Sequence, residues 1–431
     1  MGIASRTSII LASGAALAVA GGITALSFAV AGNGHQQART SATVSAHAAA
    51  QTLPLRVTSV SPADGSQHVN GTDPVTVTFN QPLPADMPFP RLSPAVPGTW
   101  RRSGDTVTFT PAEGFTASTK VQVTAPGAAP SKGAQSPSAG ARPEYSASFT
   151  TSGYSTLRLQ QLLAQLRYLP MTWHGVLGDT VTPGSMAAQL AAAYSPPTGS
   201  FSWQGGYPSQ LYGFWKTGSP NVLDAGAITG FEADHGLPPD GTAGSKVWEA
   251  LLKAAAADDT NTHGYSYAIA SEALPETLTI WHDGHQVFSS PANTGISDSP
   301  TTIGTFPVYE KLPFQIMQGT NPDGSQYADP VKWVSYFDGG QAVHYFSRGS
   351  YGWPQSLGCV ELPYGTAEQA YGYLPYGTLV TVAPLPVVRI ADFLTITRHR
   401  EQLHCYRSVA PSRVCSSQRT SSVWSAPAGS Q

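Results

Sequence analysis

The chain has 431 residues, more than one hydrophobic core accommodates, so two to four domains are expected. Only 11% of the residues are charged and the formal net charge is −3, which gives no basic face and argues against a nucleic-acid partner. With 43 glycines and 36 prolines, the composition points to strands and turns and excludes a bundle of long solvated helices.

Arg6 and the amino terminus precede a run from Ile9 to Ala31 that contains no charge. That run is long for the apolar part of a signal peptide and nearly long enough to span a bilayer. Ala29-Val30-Ala31 has the small residues of a cleavage site. Residues 1–31 therefore read as either a signal peptide or a membrane anchor, and in both cases the rest of the chain is exported. Contact with a membrane is expected through this segment alone. No cysteine lies closely after it, which speaks against a lipoprotein anchor. Residues 32–51 are rich in Ala, Ser, Thr and Gln without apolar periodicity and read as a flexible spacer.

Residues 52–151 read as an immunoglobulin-like β-sandwich. Val75 to Phe79, Thr106 to Thr110 and Lys120 to Thr124 alternate apolar with polar, and Ser146 to Thr150 is a weaker last strand. Asp64-Gly65, Asn70-Gly71, Gly104-Asp105 and the tract 126–143 supply the turns. No cluster of acids, bases or metal ligands stands out in this stretch, so it reads as a spacer or binding module.

The period changes over residues 154–253. Leu157, Leu159, Leu162, Leu163 and Leu166 make a short amphipathic helix. After a polar and aromatic insertion, Ala227 to Leu237 reads as a second helix, Asp240-Gly241 as a turn, and a third helix carries Val247, Trp248, Leu251 and Leu252. His235 reads as a capping or surface residue. The last unit, residues 265–383, reads as mostly β. Its strands are Tyr265 to Ile269, Thr277 to His282, Gln286 to Ser289, Thr305 to Tyr309, Trp333 to Phe337, Ala342 to Tyr345 and Leu379 to Val382, with a short helix from Thr366 to Tyr373. Asp283-Gly284 marks a hairpin between the second and third of these. Residues 384–431 form a C-terminal extension.

There are three cysteines. Cys405 and Cys415, separated by nine residues, are a candidate disulfide in an exported chain, worth roughly 2–3 kcal/mol by loop entropy. That leaves Cys359 unpaired in Ser356-Leu357-Gly358-Cys359-Val360, fifteen residues after His344. A free thiol is only a few per cent thiolate at neutral pH, and a histidine within hydrogen-bond reach takes its proton. Gly358 lets a carbonyl approach closely, and the amides around Gly358 and Cys359 are candidate oxyanion donors. No metal or cofactor is needed.

His344, a looped segment and then Ser356-Leu357-Gly358-Cys359-Val360 resemble the catalytic motif of the L,D-transpeptidases with a YkuD-like domain. Leu278 to Val287 resembles that family's opening hairpin. Asn293-Thr294-Gly295 and Pro300-Thr301-Thr302-Ile303-Gly304-Thr305-Phe306-Pro307-Val308 resemble its Thr-Gly and Pro-Thr-x-x-Gly-x-Phe signatures. The segment from Ser59 to Gly65, together with Val75 to Phe79, is similar to bacterial Ig-like modules of wall proteins. Residues 154–253 resemble a small helical peptidoglycan-binding domain, with an insertion between Pro170 and Leu223 longer than that family normally carries.

The resemblance implies that Cys359 attacks the carbonyl of the third residue of a tetrapeptide stem, expels the terminal D-alanine and carries the acyl group as a thioester. An amine from a neighbouring peptidoglycan stem then completes a cross-link between third residues, with His344 as base and then acid. Ser356 is expected to orient the turn. Tyr336, Trp333, Trp353 and Arg348 are candidate substrate contacts. Carbapenem-type β-lactams are expected covalent inhibitors. Three departures stand out: Leu357 where histidine is common, Tyr345 after His344 where glycine is frequent, and Glu361 where arginine or asparagine is common. Three other readings remain open: a non-catalytic peptidoglycan-binding wall protein, a sortase-like cysteine transpeptidase using Arg389, and a zinc peptidase using His282 and His285.

Overall fold

The computed structural model describes residues 54–127, 144–179 and 181–384. The export segment, the spacer, Arg389 and the Cys405–Cys415 pair lie outside the described residues.

The first module is a two-sheet sandwich. One sheet orders β1 (Val57–Ser61), β2 (Val75–Phe79), β5 (Thr106–Pro111) and β4 (Gly98–Ser103). The other orders β3 (Arg91–Ser93), β6 (Lys120–Pro126) and β7 (Glu144–Thr150). The period-two pattern sends Val75, Val77, Phe79, Val107, Phe109, Val121, Val123 and Phe149 inward, where they meet Phe115. β3 and β4 were not expected from the sequence. They carry Arg91, Arg101, Arg102 and several other exposed residues, so they lack the apolar rhythm that marks a buried strand.

The second module contains α1 (Thr156–Gln165), α4 (Val222–Asp234) and α5 (Ser245–Ala257). The insertion forms a hairpin of β8 (Met171–Gly175) and β9 (Gly199–Trp203) with α2 (Met186–Tyr194) and α3 (Ser209–Gly213). Asn221 starts α4 with a capping box closed by Asp224. His235 is the residue that ends that helix. Val247, Trp248, Leu251, Leu252 and Ala255 recur at helical spacing on α5 and are buried. Their core continues into Tyr265, Tyr267 and Leu379 of the third module.

The third module has two sheets. The first orders β12 (His285–Pro291), β11 (Thr277–His282), β10 (Ser266–Ser271), β18 (Leu379–Ala383) and β13 (Gly304–Pro307). Asp283 at φ 46° and Gly284 at φ 76° close the β11–β12 hairpin, both left-handed as a two-residue hairpin turn requires. The second sheet orders β14 (Glu310–Thr320), β15 (Gln326–Asp338), β16 (Gln341–Tyr345) and β17 (Val360–Leu362). α6 (Tyr364–Tyr373) packs against strands of both sheets through Ala367 and Ala370. Ala268, Leu278, Ile280, Val343, Val360, Leu362 and Val380 complete this core.

The largest difference from expectation is the β14–β15 hairpin. The sequence suggested only Trp333 to Phe337, whereas the strands run from Glu310 and back to Asp338. Gln, Gly and Asp interrupt the apolar pattern, and the turn at Asn321-Pro322-Asp323-Gly324 is the signal that marks the hairpin.

Candidate active site

His344 sits on β16 and Cys359 immediately precedes β17. These strands pair in parallel, with Val343 opposite Val360 and His344 opposite Glu361. Parallel neighbours need a crossover, and residues 346–359 supply it as a loop. The pairing therefore returns Cys359 to the end of the histidine strand.

His344 is buried at 3% exposure. Its Nδ1 hydrogen-bonds the Tyr345 carbonyl at 2.9 Å. A carbonyl only accepts, so Nδ1 carries the hydrogen, and Nε2 is the ring nitrogen left to interact with Cys359. Burial pulls the imidazole pKa down. The interaction with Cys359, helped by the Tyr345 carbonyl and Glu361, outweighs that and leaves it raised. Cys359 is half-buried, and its sulfur lies 3.8 Å from the Gly340 carbonyl.

The turn before the cysteine is held by Ser356, which is fully buried. Its hydroxyl donates to the Cys359 carbonyl at 2.6 Å and accepts from the Gly358 amide at 3.1 Å. The Gly358 amide is thus engaged inside the turn, contrary to the expectation that it faces a substrate oxygen. Gly358 has φ 109°, and a Cβ there would lie 2.9 Å from the Gln341 side chain, so the position requires glycine.

Residues 293–302 clamp the other side of this turn. The Thr294 carbonyl accepts from the Gln355 and Ser356 amides at 2.9 and 3.0 Å, and the Ile296 amide donates to the Ser356 carbonyl at 2.9 Å. Asn293 and Glu361 exchange backbone hydrogen bonds at 3.0 and 2.9 Å. Beneath them the buried Glu276 accepts from the Thr294 amide at 2.6 Å and its hydroxyl at 2.7 Å. Glu276 was missed in the sequence because no local pattern links it to a cysteine 83 positions later.

A cleft of about 420 Å³ opens over Cys359 and His344. Gln315, Tyr327, Val331, Tyr336, Phe346 and Arg348 are among its walls. Gln315 and Tyr327 come from the hairpin that sequence reasoning missed. Tyr336, a candidate contact, lines the cleft and donates to Gln315 Oε1 at 2.7 Å. Burial, and after it the charge of Cys359, pushes its hydroxyl up to about 12. Arg348 also lines the cleft, but it is joined to Glu361 by two hydrogen bonds of 2.7 Å.

The two tryptophans are not among the cleft walls. Trp333 has φ 55° at an irregularity in the β15–β16 register, and its ring packs 4.5 Å from that of Tyr364 and 6.2 Å from that of Tyr345. Trp353 is 49% exposed. His282 hydrogen-bonds Ser266 and His285 bonds its own turn at the Asp283 carbonyl. No three His, Cys, Asp or Glu side chains converge as metal ligands among the described residues.

Residues 266–382 match the family model of the L,D-transpeptidase catalytic domain, and residues 51–151 match that of a bacterial Ig-like domain. No curated protein matches the sequence. Among solved structures, an L,D-transpeptidase from Mycobacterium smegmatis is similar at 17% identity over 77% of this chain and 99% of its own, with a TM-score of 0.26. L,D-transpeptidase 3 from Mycobacterium tuberculosis, in complex with a faropenem-derived adduct, is 16% identical over 76% of this chain and 98% of its own, with a TM-score of 0.26. The catalytic domain of the E. faecium L,D-transpeptidase is 25% identical over 28% of this chain and 99% of its own, also with a TM-score of 0.26.

Proposed function

We infer that this chain, an acyltransferase with an L,D-transpeptidase catalytic domain and a bacterial Ig-like domain, carries its acyl intermediate on Cys359. The observation that supports this reading most is that Cys359 and His344 line one cleft at the paired strands β16 and β17, with Cys359 raising the pKa of the His344 ring. The His344 ring takes the thiol proton, and the sulfur attacks the carbonyl carbon of the third residue of a peptidoglycan stem. The Cys359 amide is the donor assigned to the developing oxyanion, since Ser356 engages that of Gly358. Collapse breaks the amide bond, and the imidazolium returns the proton to the departing amine of the terminal residue. A side-chain amine of a second stem then attacks the thioester. His344 removes a proton from that amine, and the sulfur leaves to be reprotonated. The product is a cross-link between third residues.

In the same reading the enzyme works outside the cytoplasm in the cell wall, exported by the segment at residues 1–31. The Ig-like module at 52–151 and the helical module at 154–253, read as peptidoglycan-binding, hold the catalytic domain at 265–383 near its polymer. Ser356 positions the nucleophile, and Tyr336 shapes the acyl site beside Gln315.

Intact-mass spectrometry of the purified chain with a carbapenem tests the nucleophile. A single adduct mapping to Cys359, absent from Cys359→Ala, is expected. Loss of cross-linking of tetrapeptide stems in the same variant is expected alongside it. Cross-linking that persists in Cys359→Ala would remove the reading.

A further inference from the structure

Arg348 comes to the cleft from the crossover loop between β16 and β17. Its Nε donates to Glu361 Oε2 and its Nη2 to Glu361 Oε1, each at 2.7 Å. Nη2 also donates to the Gln355 carbonyl at 3.0 Å. A guanidinium has five N–H groups in a rigid fork, and these bonds use the three on Nε and Nη2. Nη1 takes part in none of them.

The two partners differ in exposure. The Glu361 side chain is 6% exposed and that of Arg348 is 29% exposed. The carboxylate is thus enclosed and fully engaged, with Asn293 Nδ2 at 3.5 Å as a further neighbour. The Arg348 side chain keeps an open part, and Arg348 is one of the walls of the Cys359 cleft. Phe346, another wall, backs it with its ring centroid 4.6 Å away. Glu361 is also the register partner of His344. The pair therefore holds a cation at a fixed place relative to the nucleophile, with little side-chain freedom left to lose on binding.

We propose that Arg348, held by Glu361 and the Gln355 carbonyl, anchors the free carboxylate of the donor's departing residue through Nη1, and so selects donors that end one residue beyond the bond being broken. This rests on Cys359 being the acyl carrier. In such a donor the terminal carboxylate belongs to the residue next to the scissile carbonyl, roughly 3.8 Å away from Cα to Cα. A donor longer by one residue presents a neutral amide there instead, which gives no charge-assisted bond to the guanidinium. Glu361 keeps the pair neutral overall, so the anchor works through a directed hydrogen bond and not through long-range attraction.

The test uses the full chain and two synthetic tetrapeptide stems that differ only at the C-terminus, one with a free carboxylate and one with a carboxamide. Release of the terminal residue gives kcat/KM for each, and intact mass reports the thioester. The wild-type chain is expected to prefer the carboxylate by about 10- to 100-fold, the range for one hydrogen bond to a charged group. Arg348→Met combined with Glu361→Met removes both charges and leaves no buried ion alone. In this double variant the preference is expected to fall to within about threefold of unity, mainly through KM for the carboxylate donor. Equal wild-type rates for the two donors would overturn the anchor, as would a preference that survives in the double variant. The wild-type ratio decides this even where the variant does not fold. Absence of a thioester with either donor would bring down the acyl-carrier reading itself, and the anchor with it.

Discussion

The Ig-like sandwich and the catalytic module are both β-structures, yet they bury different chemistry. The sandwich core is Val, Phe, Leu and Ala, and its one fully buried polar side chain among the described residues, Thr151, is tied to the backbone at Thr116 and Thr119. The catalytic module buries more polar side chains, and Glu276, Asn293, Thr294, Ser356 and Glu361 among them gather around one turn beside His344. Burying a polar group costs free energy unless every bond is remade. In the sandwich, apolar packing carries stability. At Cys359, a connected set of hydrogen bonds carries position.

That contrast can be broken at its strongest point with His344→Gln, which keeps a polar side chain but removes the base. Acylation is expected to fall by about 10²- to 10⁴-fold with little change in unfolding midpoint. An unchanged acylation rate would detach the histidine from the chemistry. The companion measurement is its NMR titration. A neighbouring thiolate makes the imidazole bind its proton more tightly, so its pKa lies above the ordinary 6.5 and the imidazolium persists to higher pH. Cys359→Ala removes that charge, and the titration is expected to move down.

On the sandwich side, Phe115→Ala empties a site with 0% exposure. A loss of about 3–5 kcal/mol in the unfolding of that module is expected. The carbapenem acylation rate of the folded fraction should stay unchanged, and slower acylation would show that the modules are coupled. The smallest effect is Ser356→Ala, which deletes both hydrogen bonds of the turn. Roughly 1–3 kcal/mol of stability should be lost, with a lower kcat, because the nucleophile is then less well held. An unaltered kcat would make Ser356 a structural residue alone.

Legibility in the sequence divided along the same line. Val75 to Phe79 and Thr277 to His282 were bounded correctly from alternation alone, because one face of each is buried and the other is not. The turn from Ser356 to Val360 was readable because it is one short contiguous motif, and the strand pairing of β16 with β17 brings His344 beside it. What was not readable is non-local: Glu276 under Thr294, Gln315 and Tyr327 on the long hairpin, and the pairing of Arg348 with Glu361. Each depends on strands meeting across tens of residues. The packing of Trp333 was not readable for a related reason. An aromatic near a motif is conspicuous in one dimension, but a backbone turned to positive φ sends Trp333 to Tyr345 and Tyr364.

The parallel pairing of β16 with β17 has a consequence for how such a site tolerates change. The relation of His344 to Cys359 is set by strand register and by the Asn293–Glu361 bridge, not by the length of the chain between them. The crossover is a tether with fixed moorings. Sequence added within its exposed stretch near Gly349 and Ser350 alters what hangs over the cleft while the reactive pair keeps its spacing. A slip of one residue in β17 would instead turn Val360 out of the core and carry the thiol away from its base. The loop is therefore the place where new specificity can be grafted, and the three residues of β17 are the place where none can.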